Sequence, residues 1–147
     1  MQRTGKILLG VVGVFALLQV GRCQRTNPPV TGDIEAPAEV KRHFAIIDRC
    51  IQDAADFIKP GVLGWEVDDV ARRIFEEEGL EQWQFALGHQ MGRACHDGGT
   101  VLGPRWERYG QRPYGRVEKD EVYTLEIGCL VTGYGYVSQE EDIVVTD

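Results

Sequence analysis

At 147 residues, 43% of them hydrophobic and 27% charged, the chain has the size and balance of one folded domain, which sets disordered and fibrous classes aside. Its formal net charge of −7 has the basic residues scattered among the acids. That argues against nucleic acid as a partner, because a phosphate backbone is held by clustered Lys and Arg.

In chain order, the first feature is "MQRTGKILLGVVGVFALLQVGRC", residues 1–23. Arg3 and Lys6 precede a mostly apolar run from Ile7 to Val20, and Gly21 and Cys23 follow it. This is the three-part layout of a secretory signal. The run is shorter than the ~20 residues of a spanning helix. We expect a signal-like or short anchor segment here, and with it an exported or membrane-anchored protein. Without it the expected location is the cytoplasm. Residues 24–37, "QRTNPPVTGDIEAP", have the composition of a linker. Residues 38–147 are the expected body of the domain.

The body opens with "AEVKRHFAIIDRCIQDAADFIKPG". Val40, Phe44, Ile47, Ile51, Ala54 and Ile58 recur in steps of three and four, which predicts one apolar helix face. Pro37 suits the start, and Lys59-Pro60-Gly61 stops the helix. His43, near the stripe, reads as a packing or surface histidine.

A second helix follows in "GWEVDDVARRIFEEEGL", with Val67, Val70, Ala71 and Ile74 as its stripe and Gly79 at its end. Asp68 and Asp69 are adjacent, so they point about 100° apart. They are read as first-turn acids that suit the helix dipole, not as ligands.

None of the four cysteines, Cys23, Cys50, Cys95 and Cys129, forms a Cys-x-x-Cys pair, so no zinc knuckle is expected. Cys50 on the first helix and Cys129 on a strand read as buried free thiols. Cys95 beside His96 is a candidate soft ligand. "GHQMGRACHDGG", residues 88–99, holds His89 and His96 among four glycines. The glycines argue against a helix, and on a regular strand the two rings would face opposite ways. Their spacing alone therefore does not make a chelate.

"YGQRPYG", residues 109–115, is read as a loop over the site. Arg105, Arg108 and Arg112 in and beside it are either solvated loop charges or holders of a substrate carboxylate.

"EVYTLEIGCLV" alternates, with Tyr123, Leu125 and Ile127 on one face and Val122, Thr124 and Glu126 on the other. "GYVSQEEDIVVT" is a second strand, and "TGYGY" between them is turn-like. If the strands pair about Gly133, Glu126 stands opposite Glu140. Opposed side chains on a sheet have Cβ atoms about 5 Å apart, where like charges repel. Two facing carboxylates on half-buried strands ask for a cation or a shared proton between them. Two His and two Glu form a plausible ligand set for a hard metal. The fold class is α+β: two helices packed on a curved, mainly antiparallel sheet.

Four motifs, "GHQMG", "CHDGG", "YTLEIG" and "EEDIVVT", resemble in order and spacing those of the pita-bread metallopeptidases, which include methionine aminopeptidase, aminopeptidase P and prolidase. "IKPGV" with "EVDDVARRIFEEEGL" is similar to the helical stretch that precedes the histidine motif there. The resemblance runs from about residue 38 to 147. It implies that His89, Glu126 and Glu140 are metal ligands, with Glu140 bridging two ions and Glu141 only its neighbour. Glu126 would also take the attacking water's proton. His96 would be a catalytic and substrate-binding residue that steadies the scissile carbonyl. The implied cofactor is a pair of divalent ions (Mn, Co or Zn). The implied reaction is hydrolysis of a peptide bond by metal-activated water.

"HDGG" resembles the aminopeptidase P and prolidase version, which implies an Xaa-Pro peptidase acting on peptides with proline in second position. Two positions depart from that branch: Phe85 stands where a His is frequent, and Ser138 where an Arg is.

The family's site also uses two upstream aspartates. One belongs to an Asp-x-x-Arg-Thr motif whose tail matches Arg25-Thr26, and its Asp position is Arg22. Nothing upstream supplies the other. The expectation is therefore the C-terminal half of a pita-bread domain. The alternatives are a catalytically inactive binding module or a truncated fragment. A homodimer or a complementing half-domain are the implied protein partners.

Overall fold

A computed structural model describes residues 8–9 and 35–146. The signal-like segment, apart from Leu8 and Leu9, lies outside the described residues, as do Arg22, Cys23 and the linker up to residue 34. Glu35 to Pro37 carry no regular structure.

Strand β1 is Leu8–Leu9. Helix α1 is Ala38–Phe57 and helix α2 is Gly64–Glu77. Strand β2 is Gly88–Met91 and β3 is Val101–Leu102. Two 3-10 turns at Glu107–Tyr109 and Arg112–Tyr114 lead to β4, Val122–Val131, and β5, Gly135–Val144. The sheet order is β1-β5-β4-β2-β3, with every neighbouring pair antiparallel. This is the α+β architecture the sequence implies. Among the described residues no helix is long and apolar enough to cross a membrane.

Helix α1 packs on α2 and on the β4–β5 hairpin. Its buried face is His43, Ile46, Ile47, Cys50, Ile51, Ala54 and Ala55. Phe44 corrects the predicted stripe, because it is 41% exposed. The buried positions step through 43, 46, 47 and 50, so His43 takes the place on the stripe and turns Phe44 outward. His43 donates from Nδ1 to Glu39 O at 2.8 Å, which satisfies its ring inside the turn. Cys50 is fully buried with Sγ 3.8 Å from Ala71 O, and burial pushes its thiol up to about 12.

Helix α2 ends as the glycine predicts. Gly79 adopts φ +66, its N–H donates to Glu76 O at 3.1 Å, and the Leu80 N–H donates to Phe75 O at 2.8 Å. At the other end Glu66 accepts the Leu63 N–H at 2.8 Å. The helix begins at Gly64, so Asp68 and Asp69 lie beyond its first turn. That corrects the dipole reading. Asp68 is buried at 2% exposure for a different purpose, described below.

The β4–β5 register runs from Val122↔Val144 to Val131↔Gly135 and places Glu126 opposite Glu140, as expected from a turn at Gly133. Gly133 has φ +84 and Gly135 φ +114, which only glycine adopts without strain. Tyr123, Leu125 and Ile127 are buried in the core. Glu126 and Glu140 stand on the opposite side of the alternation.

Candidate metal centre

Strand β2 brings the first histidine to β4. Gln90 pairs with Tyr123 and Met91 with Val122. One step further in, the His89 N–H donates to Thr124 Oγ1 at 3.1 Å, and the Glu126 N–H donates to Leu87 O at 2.6 Å. His89 Nδ1 lies 3.1 Å from Gln90 O. A carbonyl only accepts, so Nδ1 carries the proton and Nε2 keeps its lone pair for a ligand.

The glycine-rich loop then folds back. The Asp97 carboxylate accepts the Ala94 N–H at 2.9 and 3.0 Å, and the Cys95 N–H reaches Gly92 O at 3.3 Å. Gly98 and Gly99 sit at φ +101 and +75. The result is that the His89 and His96 rings stack, centroids 4.3 Å apart and 28° from parallel. The seven-residue spacing meets neither through a helix nor along a strand, but through this loop.

Across β4 and β5, the Glu126 carboxyl is pushed above its ordinary range, first by burial and then by Glu140, with His89 and His96 pulling the other way. Glu126 therefore feels the charge of both imidazoles and of the opposed carboxylate. Glu141 pairs opposite Leu125, and its Oε1 accepts from Gln139 Nε2 at 2.9 Å. It thus points to the helix side, and Glu140 is the glutamate that shares a face with Glu126.

The structure does not gather all four candidate ligands into one tight group. Among the described residues, the donor atoms of His89, Cys95 and His96 all lie within 4.8 Å of one another, and Glu126 and Glu140 stand outside that group.

Because the folded-state pKa of Glu126 is raised, the fold holds the proton more tightly than the unfolded chain does. Stability is then lost as pH rises through the unfolded and folded values. In chelator-treated buffer, Glu126→Gln is expected to match the parent in acid and to melt higher at neutral pH. Equal melting at both pH values would count against a costly carboxylate pair.

Sequence reasoning missed Asp68. Its Oδ1 accepts the Leu87 N–H at 3.0 Å, and both its oxygens hold Arg72. Arg72 in turn donates to Trp83 O at 2.8 Å and Phe85 O at 2.7 Å. Burial pushes the Asp68 carboxyl up to about 6 against the pull of Arg72. The pair clamps the segment that enters β2, so it aims His89 from a distance. The only signal in the sequence was an acid and a base four residues apart on the inner side of a helix.

Arg105 and Arg108 are not aimed at the centre. Arg105 lies 4.3 Å over the Trp65 ring, and Arg108 lies 4.5 Å over Trp106 while donating to Gln84 O. The loop is pinned to α2 through the Gly64 N–H to Gly115 O bond at 3.0 Å. Beside the hairpin, Trp83, Phe85 and Tyr136 line an open cavity of about 410 Å³. Trp83 meets both of the other rings, at 5.1 Å for Phe85 and 5.9 Å for Tyr136.

The sequence profile of metallopeptidase family M24 matches residues 3–147. The chain is 29% identical over 140 residues to an Xaa-Pro dipeptidase of Pyrococcus horikoshii, covering 94% of this chain and 37% of that protein. Among solved structures, an X-Pro aminopeptidase from Thermotoga maritima superposes with TM-score 0.65 and 29% identity, over 77% of this chain and 30% of that one. An Xaa-Pro dipeptidase from Bacillus anthracis superposes with TM-score 0.66 and 27% identity, over 76% and 30%. The chain thus spans little more than a third of the length of the first of these.

Proposed function

The chain belongs to metallopeptidase family M24, and on that premise we propose that it carries half of a metal-dependent exopeptidase site of the Xaa-Pro type. His89, Glu126 and Glu140 are the ligands in this reading. The observation that carries it is the Glu126–Glu140 pair on β4 and β5, with both histidines acting on Glu126. Facing carboxylates, one of them half-buried, and an imidazole with a free Nε2 suit a divalent cation (Mn, Co or Zn).

Bound there, such an ion supplies a water of lowered pKa. Glu126 would take the water's proton. His96, exposed at the loop, donates to the oxygen of the scissile carbonyl as charge develops on it, an interaction often worth a few kcal/mol. The substrate is a peptide, with proline in second position by analogy with the relatives.

Residues 1–32 contain no Asp or Glu. Those residues therefore supply none of the further acidic ligands that the family resemblance implies. The family match begins at residue 3, and Leu8 pairs with Ile143 on β5.

The test is Mn²⁺ stoichiometry of the full chain beside a Glu126→Ala, Glu140→Ala double variant, followed by an Xaa-Pro dipeptide assay. Stoichiometric Mn²⁺, lost in the double variant, is the expected result. Equal binding by both proteins sinks the ligand assignment. A second reading, a peptide-binding module without turnover, is favoured by the aromatic cavity at Trp83, Phe85 and Tyr136. It predicts peptide binding that is indifferent to the double substitution.

A further inference from the structure

We infer that His89, Cys95 and His96 form a soft-donor site for a single zinc ion, distinct in its donor set from the carboxylate pair.

Three observations converge on it. The first is proximity: one donor atom from each residue lies within 4.8 Å of the other two. Tetrahedral zinc, with bonds of about 2.0 Å to nitrogen and 2.3 Å to sulfur, separates its ligand atoms by about 3.5 Å. Closure asks for a movement of roughly 1 Å, and Cys95 and His96 are exposed on a loop with glycines on both sides.

The second is backbone presentation. Cys95 adopts φ +64, a conformation that a non-glycine residue seldom takes. It is held there by the Cys95 N–H to Gly92 O bond at 3.3 Å, by the His96 N–H to Ala94 O bond at 2.7 Å, and by the Asp97 carboxylate on the Ala94 N–H. The loop is therefore built to turn Sγ toward the two stacked imidazoles.

The third is the donor chemistry. The Nδ1–H of His89 is committed to Gln90 O, which leaves Nε2 as a neutral ligand. A thiolate with two imidazoles selects zinc over manganese, which prefers oxygen. Three protein ligands leave a fourth position for water.

Binding releases the Cys95 proton, so affinity rises with pH. It also takes His96 away from any substrate carbonyl. Zinc in this site and manganese on the carboxylates then compete through His89. The soft site rests on the geometry of the 88–99 segment and not on the peptidase reading, with which it shares His89 and His96.

The test is titration of the full chain with Co²⁺, followed by Zn²⁺ competition, for the parent, Cys95→Ser and Glu140→Ala. One Co²⁺ per chain with a sulfur-to-cobalt charge-transfer band in the near ultraviolet is expected, displaced by Zn²⁺ and not by equimolar Mn²⁺. Cys95→Ser should abolish the band and weaken Zn²⁺ binding about tenfold or more. Glu140→Ala should leave both intact. Absence of the band in the parent, or unchanged Zn²⁺ affinity in Cys95→Ser, overturns the inference. Cys95 is exposed, and matching circular dichroism spectra of parent and variant would confirm that Cys95→Ser is folded. Mn²⁺ stoichiometry on the same samples separates the two sites: its loss in Glu140→Ala, with the cobalt band kept, upholds the carboxylate reading independently.

Discussion

Asp68→Ala is expected to destabilise the fold by about 3 kcal/mol or more, because it leaves the Arg72 guanidinium without its partner in a largely closed site. The side chains are only 3% and 16% exposed, so water cannot take over the lost contacts. The Leu87 N–H, buried beside them, loses its acceptor at the same stroke. For a chain of this length the melting temperature should fall by about 10 °C. The measurement is thermal unfolding at pH 7.5, where the carboxyl is ionised. Asp68→Asn should fall less, since an amide oxygen still accepts from Leu87. The damage should reach the metal centre, because Arg72 holds the carbonyls of Trp83 and Phe85 just ahead of His89. A variant that melts within about 2 °C of the parent would mean that the clamp contributes little.

Gly88→Ala is expected to be as severe, for a steric reason. A Cβ on residue 88 would lie 1.8 Å from Thr124 O and 2.8 Å from Thr124 C. Both are backbone atoms of the central strand and have no rotamer to escape into. Strand β2 must then move off β4, and the Glu126 N–H to Leu87 O and His89 N–H to Thr124 Oγ1 bonds break together. Overpacking of this kind costs about 1–3 kcal/mol, and the lost strand pairing adds to it. Metal binding should disappear with the strand contact, even where circular dichroism reports a folded chain. The paired readout is a urea unfolding curve and a Mn²⁺ titration. Parent-like values in both would show that the close approach is not required. The glycine before the histidine is thus explained: it lets a ligand-bearing strand lie against the strand that carries the acid.

What could be read from the sequence follows sequence distance. The Glu126–Glu140 register was legible because the turn at Gly133 joins the strands directly and fixes every pair beyond it. The two helices were legible from their apolar steps, although Phe44, read as part of the buried stripe, is exposed, and His43, read as a packing or surface residue, packs inside. A histidine that satisfies its own ring against Glu39 O is not marked as buried by any hydropathy pattern. Asp68 was misread because its acceptor role is set by Leu87, which meets it only after α2 has turned back on the sheet. The convergence of Cys95 with both histidines was not legible either. It depends on positive φ at Cys95, Gly98 and Gly99, which residue spacing does not encode. Arg105 found the face of Trp65, forty residues away, and Arg108 that of its near neighbour Trp106.

The unequal reach of the pairings also sets an order of assembly. β4 and β5 are joined by a three-residue turn, so they close with little loss of chain entropy, on the microsecond scale of hairpins. The pairing of β2 with β4 must first enclose the long excursion through residues 92–121, a slower and costlier event. The two glutamates therefore confront each other before His89 arrives. On this order the acidic pair would form ahead of its imidazole, and a cation bound between the two carboxylates would favour the hairpin.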